Sequence, residues 1–411
     1  MHPGADRTAE GGEETGYLRS GTPELRRASL ALFVAGLATF AMLYCTQPLL
    51  PTFSAEFGVT PAMASLSLSA TTATLAVALV FAGTFSESWG RTPMMVASLV
   101  LSSLLMLLAA FSPGFTALLA LRAAQGLALA GLPAVAMAYL AEEVHSASAG
   151  FTMGLYIAGN SVGGLAGRVL SGALTDAFSW RVALGSLGLA CLLASFVFWR
   201  MLPGSKRFRP RPLIVRDLLA SLGAHLKDQG LLGLYAAGAL MMGGFVALYN
   251  YVGYHLIGAP YGLSQAEVGW IFVLYLVGTF SSAWMGRLAD RLGRGAMLWL
   301  GISLMLIGTG LTLASSLAVI VAGVAVLTFG FFGAHSIASG WVGQKASTAR
   351  AQASALYLLC YYLGSSIGGS AGGLAYAHGD WPGLVAMISV LLLLALPAAA
   401  LSTLPKPNDA G

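Results

Sequence analysis

Apolar residues run along this chain in blocks long enough to cross a bilayer, with polar positions gathered in the short gaps between them. A helix needs about 20 apolar residues to span the hydrocarbon. Twelve runs meet that length, at roughly 30–51, 62–86, 94–112, 115–140, 151–175, 182–202, 230–254, 266–287, 296–314, 317–341, 353–377 and 382–404. None alternates with period two over ten residues, so helices are expected and a transmembrane barrel is not. Six runs precede the stretch PGSKRFRPRPLIVRDLLASLGAHLKDQ and six follow it. Its basic start and helical LLASLGAHL portion fit either an amphipathic helix along the inner leaflet or a plain positive loop. The expected organisation is an N-terminal tail at 1–29, a six-helix bundle at 30–202, a linker at 203–229, a second bundle at 230–404 and a C-terminal tail at 405–411.

Composition removes the main competitors. Only 9% of the 411 residues are charged and 57% are hydrophobic, against about 25% charged in a soluble domain. That excludes a soluble enzyme and a nucleic-acid binder, despite the net charge of +5. The 52 glycines fit closely packed transmembrane helices. Cys45, Cys191 and Cys360 lie in apolar runs without metal-ligand spacing, so they read as free core thiols. Residues 1–29 mix acidic and basic side chains ahead of a long apolar run, unlike a signal peptide.

The basic residues also orient the chain, because Lys and Arg collect on the cytoplasmic side. With both termini inside, 18 of the 21 fall on that side: the N-terminal tail, 200–227, Arg91, Arg287, Arg291, Arg294, Lys345, Arg350 and Lys406. Arg181 lies outside, and Arg122 and Arg168 fall within spans. The expected location is therefore the inner membrane, multi-pass, with cytoplasmic termini.

The chain repeats itself. GTFSESWGR from Gly83 to Arg91 and GRLADRLGR from Gly286 to Arg294 align at an offset of 203, glycines, carboxylate and arginine together. At the same offset Gln47 in span one falls on Asn250 in span seven. A duplicated six-helix unit is the parallel repeat of a rocker-type transporter. These loops resemble the signature of the major facilitator superfamily; the first copy carries Glu87 where the pattern has Asp. Leu118, Arg122, Gln125 and Gly126 in span four resemble the superfamily's second motif. Gly150, Gly159, Gly163, Gly164, Gly167 and Arg168 resemble its antiporter motif, with Gly164 in place of Pro and Arg168 in place of the last Gly. The stretches YCTQPLLPTFSAEFGV and YNYVGYHL are similar to the arabinose-efflux-permease group of drug:proton antiporters. The likeness runs from about residue 28 to 404. It implies an all-α membrane protein with twelve helices in two pseudo-symmetric bundles. It also implies proton-coupled efflux of a drug, sugar or metabolite.

The loop residues have physical tasks. Gly83 and Gly286 would let another helix approach closely at the ends of spans two and eight. Glu87 and Asp290 would accept N–H groups at a facing helix N-terminus, an attraction of about 0.3–1 kcal/mol. Gly90 and Gly293 supply positive φ, and Arg91 and Arg294 face lipid headgroups or an acidic partner. The resemblance implies a cytoplasmic gate that forms when the transporter opens outward and breaks when it opens inward; otherwise the loops only fix topology. Glu142 and Glu143 are placed to pair with Arg91. Position 345, which is 203 beyond 142, is Lys, so this lock would be one-sided.

Arg122 is the leading functional candidate, because a charge deep in a span costs at least about 2.5–3.5 kcal/mol. Arg168 lies at similar depth, and no Asp or Glu does. Either these arginines bond to backbone carbonyls, Gln125, Asn160 and water, with Arg168 snorkelling outward, or they recognise an anionic or polyhydroxylated substrate. Candidates for proton coupling are His335, whose side-chain type titrates near pH 6.5, Glu56, the gate carboxylate Glu87, and Arg122. The cavity belongs near the midplane between the halves. Its expected lining includes Gln47, Asn250 and Asn160, with Tyr44, Tyr249, Tyr251, Tyr254, Tyr357 and Tyr361 as aromatic faces or packing anchors. Gly159, Gly163 and Gly167, and Gly364, Gly368 and Gly372, give spans five and eleven flat faces for close crossing.

A membrane enzyme would need a nucleophile–base set, a metal cluster or H-E-x-x-H, and none occurs. No Walker-type loop supports ATP-driven pumping. The sequence thus predicts a transporter, not an enzyme, with no cofactor and no metal. Its expected partners are a small-molecule substrate, protons and the bilayer, with no nucleic acid and a monomeric state. Uptake of a small organic anion stays open as the alternative.

Overall fold

A computed structural model describes residues 17–210, 215–346 and 348–403; most of the N-terminal tail and the whole C-terminal tail lie outside them. The first span starts where Thr22 accepts the Leu25 N–H and Pro23 occupies the first turn. Helix α1 (Pro23–Tyr44) then breaks at Cys45–Thr46, passes a 3-10 turn at Gln47–Leu49, and resumes as α2 (Leu50–Phe57), which stops at left-handed Gly58. Pro48 lacks an N–H and Pro51 another, so the ladder cannot run through. The first bundle continues with α3 (Pro61–Trp89), α4 (Arg91–Ala110), α5 (Phe115–Leu129), α6 (Pro133–Glu143), α7 (Ser146–Ala177) and α8 (Trp180–Met201). Span four is α5 and α6 together, broken ahead of Pro133.

The linker contains α9 (Val215–His225). The second bundle runs α10 (Gln229–Ile257), α11 (Gln265–Trp270) with a 3-10 turn leading into α12 (Tyr275–Leu292), α13 (Arg294–Leu311), α14 (Leu317–Lys345) and α15 (Arg350–Leu401). Among the described residues, ten helical segments are long and apolar enough to cross a membrane. The 52-residue α15 holds two spans, because Gly379 and Asp380 leave helical geometry inside it. Glycine-rich α7, 32 residues long, supplies the twelfth. At 1.5 Å per residue it is ample to cross. Among the described residues the only β pairing is one bridge, Leu18 to Val144.

The glycine stripes set the packing. A Cβ at Gly159, Gly163 or Gly167 would overlap α1 backbone at Phe33, Leu37 and Ala41. One at Gly364 or Gly368 would strike α10 backbone at Ala239 and Gly243. Spans one and five, and seven and eleven, therefore touch backbone to backbone.

The halves meet at the end away from the two repeated loops. Gln47 Nε2 donates to Asn250 Oδ1 at 2.9 Å, so the residues matched by the repeat are joined. The Tyr254 hydroxyl donates to the Leu50 carbonyl at 2.7 Å, Gln265 reaches the Pro48 carbonyl, and Ser366 pairs with Thr72 at 2.7 Å. Gly373 lets Ala62 pack directly against α15.

Candidate functional site

Below these contacts lies a cavity of about 550 Å³ between the halves. Spans one and five line one side with Phe40, Tyr44, Asn160, Ser161, Gly164 and Arg168; span seven adds Phe245. Tyr275, Phe331, Phe332, His335, Ser336, Ser339 and Tyr361 of spans eight, ten and eleven line the other. It extends toward the end that carries the repeated loops, as Ser339 lies six residues from the end of α14.

Arg168 is the charged group on this wall, and it is 2% exposed. Its Nε donates to Gln47 Oε1 at 2.7 Å, Nη1 to the Gly164 carbonyl at 2.7 Å, and Nη2 to the Tyr275 hydroxyl at 3.3 Å. The guanidinium also lies 4.1 Å from the Tyr44 ring centre and 4.5 Å from that of Tyr275, within cation–π range. Gln47 thus holds Arg168 with its oxygen and the opposite half with its nitrogen. Across the cavity His335 Nδ1 meets the Tyr357 hydroxyl at 2.9 Å, and its ring lies 4.5 Å from that of Tyr361.

Arg122 is elsewhere. It is 1% exposed and does not line the cavity. Its Nε donates to the Ser67 carbonyl, Nη1 to the Met42 carbonyl and Gln125, and Nη2 to the Leu43 carbonyl and Thr46. The Met42 and Leu43 carbonyls belong to the last turn of α1, where the break in span one leaves acceptors and a negative helix end, while that of Ser67 comes from α3. All five donors of the guanidinium are engaged. The sequence-based order of the two arginines is reversed: Arg168, read first as a snorkelling or packing residue, faces the cavity, and Arg122 does not.

Of the other expected lining residues, Tyr44, Asn160 and Tyr361 reach the cavity. Gln47 and Asn250 stand behind it in the contact between halves. Tyr249 bonds Thr328, Tyr251 bonds the Gly369 carbonyl, and Tyr254 belongs to the far-end closure. Glu56 lies at that closed end, half-exposed, 4.0 Å from Arg181. Sequence reasoning missed Phe245, Tyr275, Phe331 and Phe332. It held a signal for Arg168, however. The stripe at 159, 163 and 167 faces α1, so 160, 164 and 168 share the adjoining helical face.

The two repeated loops differ. Gly90 and Gly293 both have positive φ, +98° and +92°. Arg91 is buried and grips Glu142 through two bonds, at 2.6 and 3.2 Å, while also reaching Gly83 and Ser86. Glu143 instead accepts the Arg207 backbone N–H at 2.8 Å. In the second half, among the described residues, Arg294 at the start of α13 pairs with Asp290 near the end of α12, across the Gly293 turn, at 3.4 Å, and Lys345 donates to the Ser402 carbonyl. The Arg91–Glu142 pair ties spans two, three and four of one half. A relative motion of the halves therefore does not have to break it. The close approach expected at Gly83 and Gly286 is not seen: both lie inside helices, and a Cβ there would meet nothing within 4 Å.

Known proteins share this architecture. The profile of the Major Facilitator Superfamily matches residues 32–259 and 248–411. The chain is 49% identical over 380 residues to the uncharacterized MFS-type transporter YybF of Bacillus subtilis, covering 92% of this chain and 94% of that one. It is 48% identical to the inner membrane transport protein YnfM of Escherichia coli, with 92% and 91% covered. Among solved structures, a bacterial homologue of the human lysosomal transporter Spinster, inward-facing and occupied, superposes with a TM-score of 0.78. It has 16% identity and covers 93% of this chain and 98% of its own. The nucleoside transporter NupG gives a TM-score of 0.75 at 13% identity, over 92% and 100%. At these identities the structural likeness speaks for the fold. The twelve-span bundle, the paired halves and these matches together establish that the chain belongs to the Major Facilitator Superfamily, as a multi-pass membrane transporter of small molecules and not an enzyme.

Proposed function

We propose that this protein is a secondary carrier that exports a small organic molecule in exchange for protons, by alternating access, with the cavity as its substrate site. The observation that carries the reading is the asymmetry of the contact between halves. Hydrogen bonds seal the end near Gln47 and Tyr254, while the cavity extends toward the loop end. With cytoplasmic termini, as the basic residues imply, this is the inward-facing form. Opening to the other side requires the Gln47–Asn250, Tyr254–Leu50 and Thr72–Ser366 contacts to separate.

His335 is the proton-accepting candidate, because it is the imidazole on the cavity wall and no carboxylate lines that wall. Glu56 and Arg122 do not reach the cavity and have no direct part in this scheme. Glu142 and Arg91 brace one half, leaving the gate to the inter-helix contacts around them. Arg168 favours the alternative substrate charge, an organic anion, whichever way it moves.

The test is transport by purified protein in proteoliposomes with an imposed pH gradient, screened against sugars, dyes and carboxylates. Flux should follow the gradient, collapse with a protonophore, and lose its gradient dependence in His335→Gln. Flux indifferent to the gradient would overturn proton exchange, and flux that requires ATP would overturn secondary transport.

A further inference from the structure

We propose that the cavity selects a small aromatic carboxylate, and that Arg168 is the residue that receives its charge. This rests on the reading of the cavity as the substrate site. Three observations converge on it.

The first is unbalanced charge. No Asp or Glu lines the cavity, and among the described residues Arg168 has no acidic partner. Its contacts with Tyr44, Phe272 and Tyr275 hold the guanidinium in place, but neutral rings do not cancel its charge. At a position as buried as Arg168, where water screens a charge poorly, a cation without a counter-ion attracts an anion.

The second is donor number. Arginine has five N–H groups, and three of those on Arg168 are engaged, by Gln47, Gly164 and Tyr275. One remains on each Nη nitrogen. Two N–H groups on neighbouring nitrogens match the two oxygens of a carboxylate. Arg122, equally buried, has none to spare, so the geometry singles out Arg168.

The third is the facing wall. Phe245 and Phe331 stack at 3.9 Å, and Phe332 and Tyr361 continue the aromatic surface beside them. A flat ring attached to the carboxylate lies against these faces by offset or edge contact. A cavity of about 550 Å³ has room for one or two rings. An organic cation meets Arg168 with like charge, and a sugar leaves the rings without a partner.

Binding to the purified full-length protein in detergent tests this, by calorimetry, with three probes built on one bicyclic carbon skeleton. Naphthalene-2-carboxylate carries ring and charge, naphthalene-2-carboxamide only the ring, and decahydronaphthalene-2-carboxylate only the charge. The carboxylate should bind at least tenfold more tightly than either of the others. Arg168→Gln should abolish that preference for charge, and Arg168→Lys should restore part of it. The probe series in the unaltered protein decides the matter even where a variant does not fold. Equal binding of acid and amide, or tighter binding of a naphthylmethylammonium ion, would overturn the assignment. Gradient-driven flux of an uncharged substrate by protein that ignores the carboxylate would overturn it too, leaving the transport reading intact. Carboxylate binding with no gradient-driven flux of any compound would uphold it and remove the transport reading.

Discussion

Arg122 and Arg168 are two cations at similar depth, 1% and 2% exposed, and neither has a carboxylate partner among the described residues. What separates them is where their donors go. Arg122 bonds three backbone carbonyls from spans one and two, with Gln125 and Thr46 completing the set. Every partner belongs to one half, and the carbonyls cannot move without unwinding helix. Arg168 holds one carbonyl of its own helix; its other partners are the side chains of Gln47 and Tyr275, and Tyr275 comes from the opposite half. A buried charge is therefore not by itself a ligand site. The number of donors left over, and whether the partners can rearrange, decide between scaffold and site.

Breaking the scaffold should have the largest effect. Arg122→Gln strands the Leu43 carbonyl and takes a charged donor from those of Met42 and Ser67, and an unsatisfied buried acceptor costs about 1–3 kcal/mol. Arg122→Lys should rescue little, because three donors on a point charge cannot replace a five-donor fork. Both should show low yield of folded protein and a sharply reduced melting temperature in detergent. An unchanged melting temperature would refute the structural role. Arg168→Gln should cost less, about 1–2 kcal/mol, since it frees one helix carbonyl and two side chains. Its main loss should be in substrate flux, which Arg122 variants lose only with the fold.

Gln47 is where the two sites connect. The α1 break that Arg122 stabilises places Gln47, which then contacts both Arg168 and Asn250. Gln47→Leu should weaken the closed end by about 1–1.5 kcal/mol, roughly a tenfold shift toward the other access state. Cysteines placed beside Tyr254 and Pro61 should become more reactive to impermeant thiol reagents, and Asn250→Leu should match them. Unchanged reactivity would show that the Gln–Asn bond does not hold that end shut.

Much of this was legible in the sequence. Periodicity and length gave the spans, and the offset of 203 joined Gln47 to Asn250, now seen 2.9 Å apart. The position of Glu142 and Glu143 after span four suggested a pair with Arg91; Glu142 makes it and Glu143 does not. The reversal of the arginines was hidden because a hydropathy run does not fix a helix's rotation about its axis. It also does not show that Pro48 and Pro51 would break span one and create the acceptors that consume Arg122. Tyr275 and the three phenylalanines were hidden for a related reason: in an apolar span every aromatic looks like packing until its face is known.

Gly83 and Gly286 sharpen the comparison from the opposite side, as positions conspicuous in sequence and unconstrained in this state. Each lies within a helix with open space at its Cβ, and alanine is favoured over glycine in a helix interior by up to about 1 kcal/mol. Gly83→Ala and Gly286→Ala should therefore leave the melting temperature unchanged or slightly raised. Gly163→Ala, which drives a methyl into the Leu37 backbone, should lower it strongly. The informative result is the flux of the Gly83 and Gly286 variants. If stability holds while transport falls, the glycines serve a close approach made only when the halves rock to the other state. If both hold, their value lies in neither state, and the repeated loop acts through Gly90, Gly293 and the Arg91 network alone.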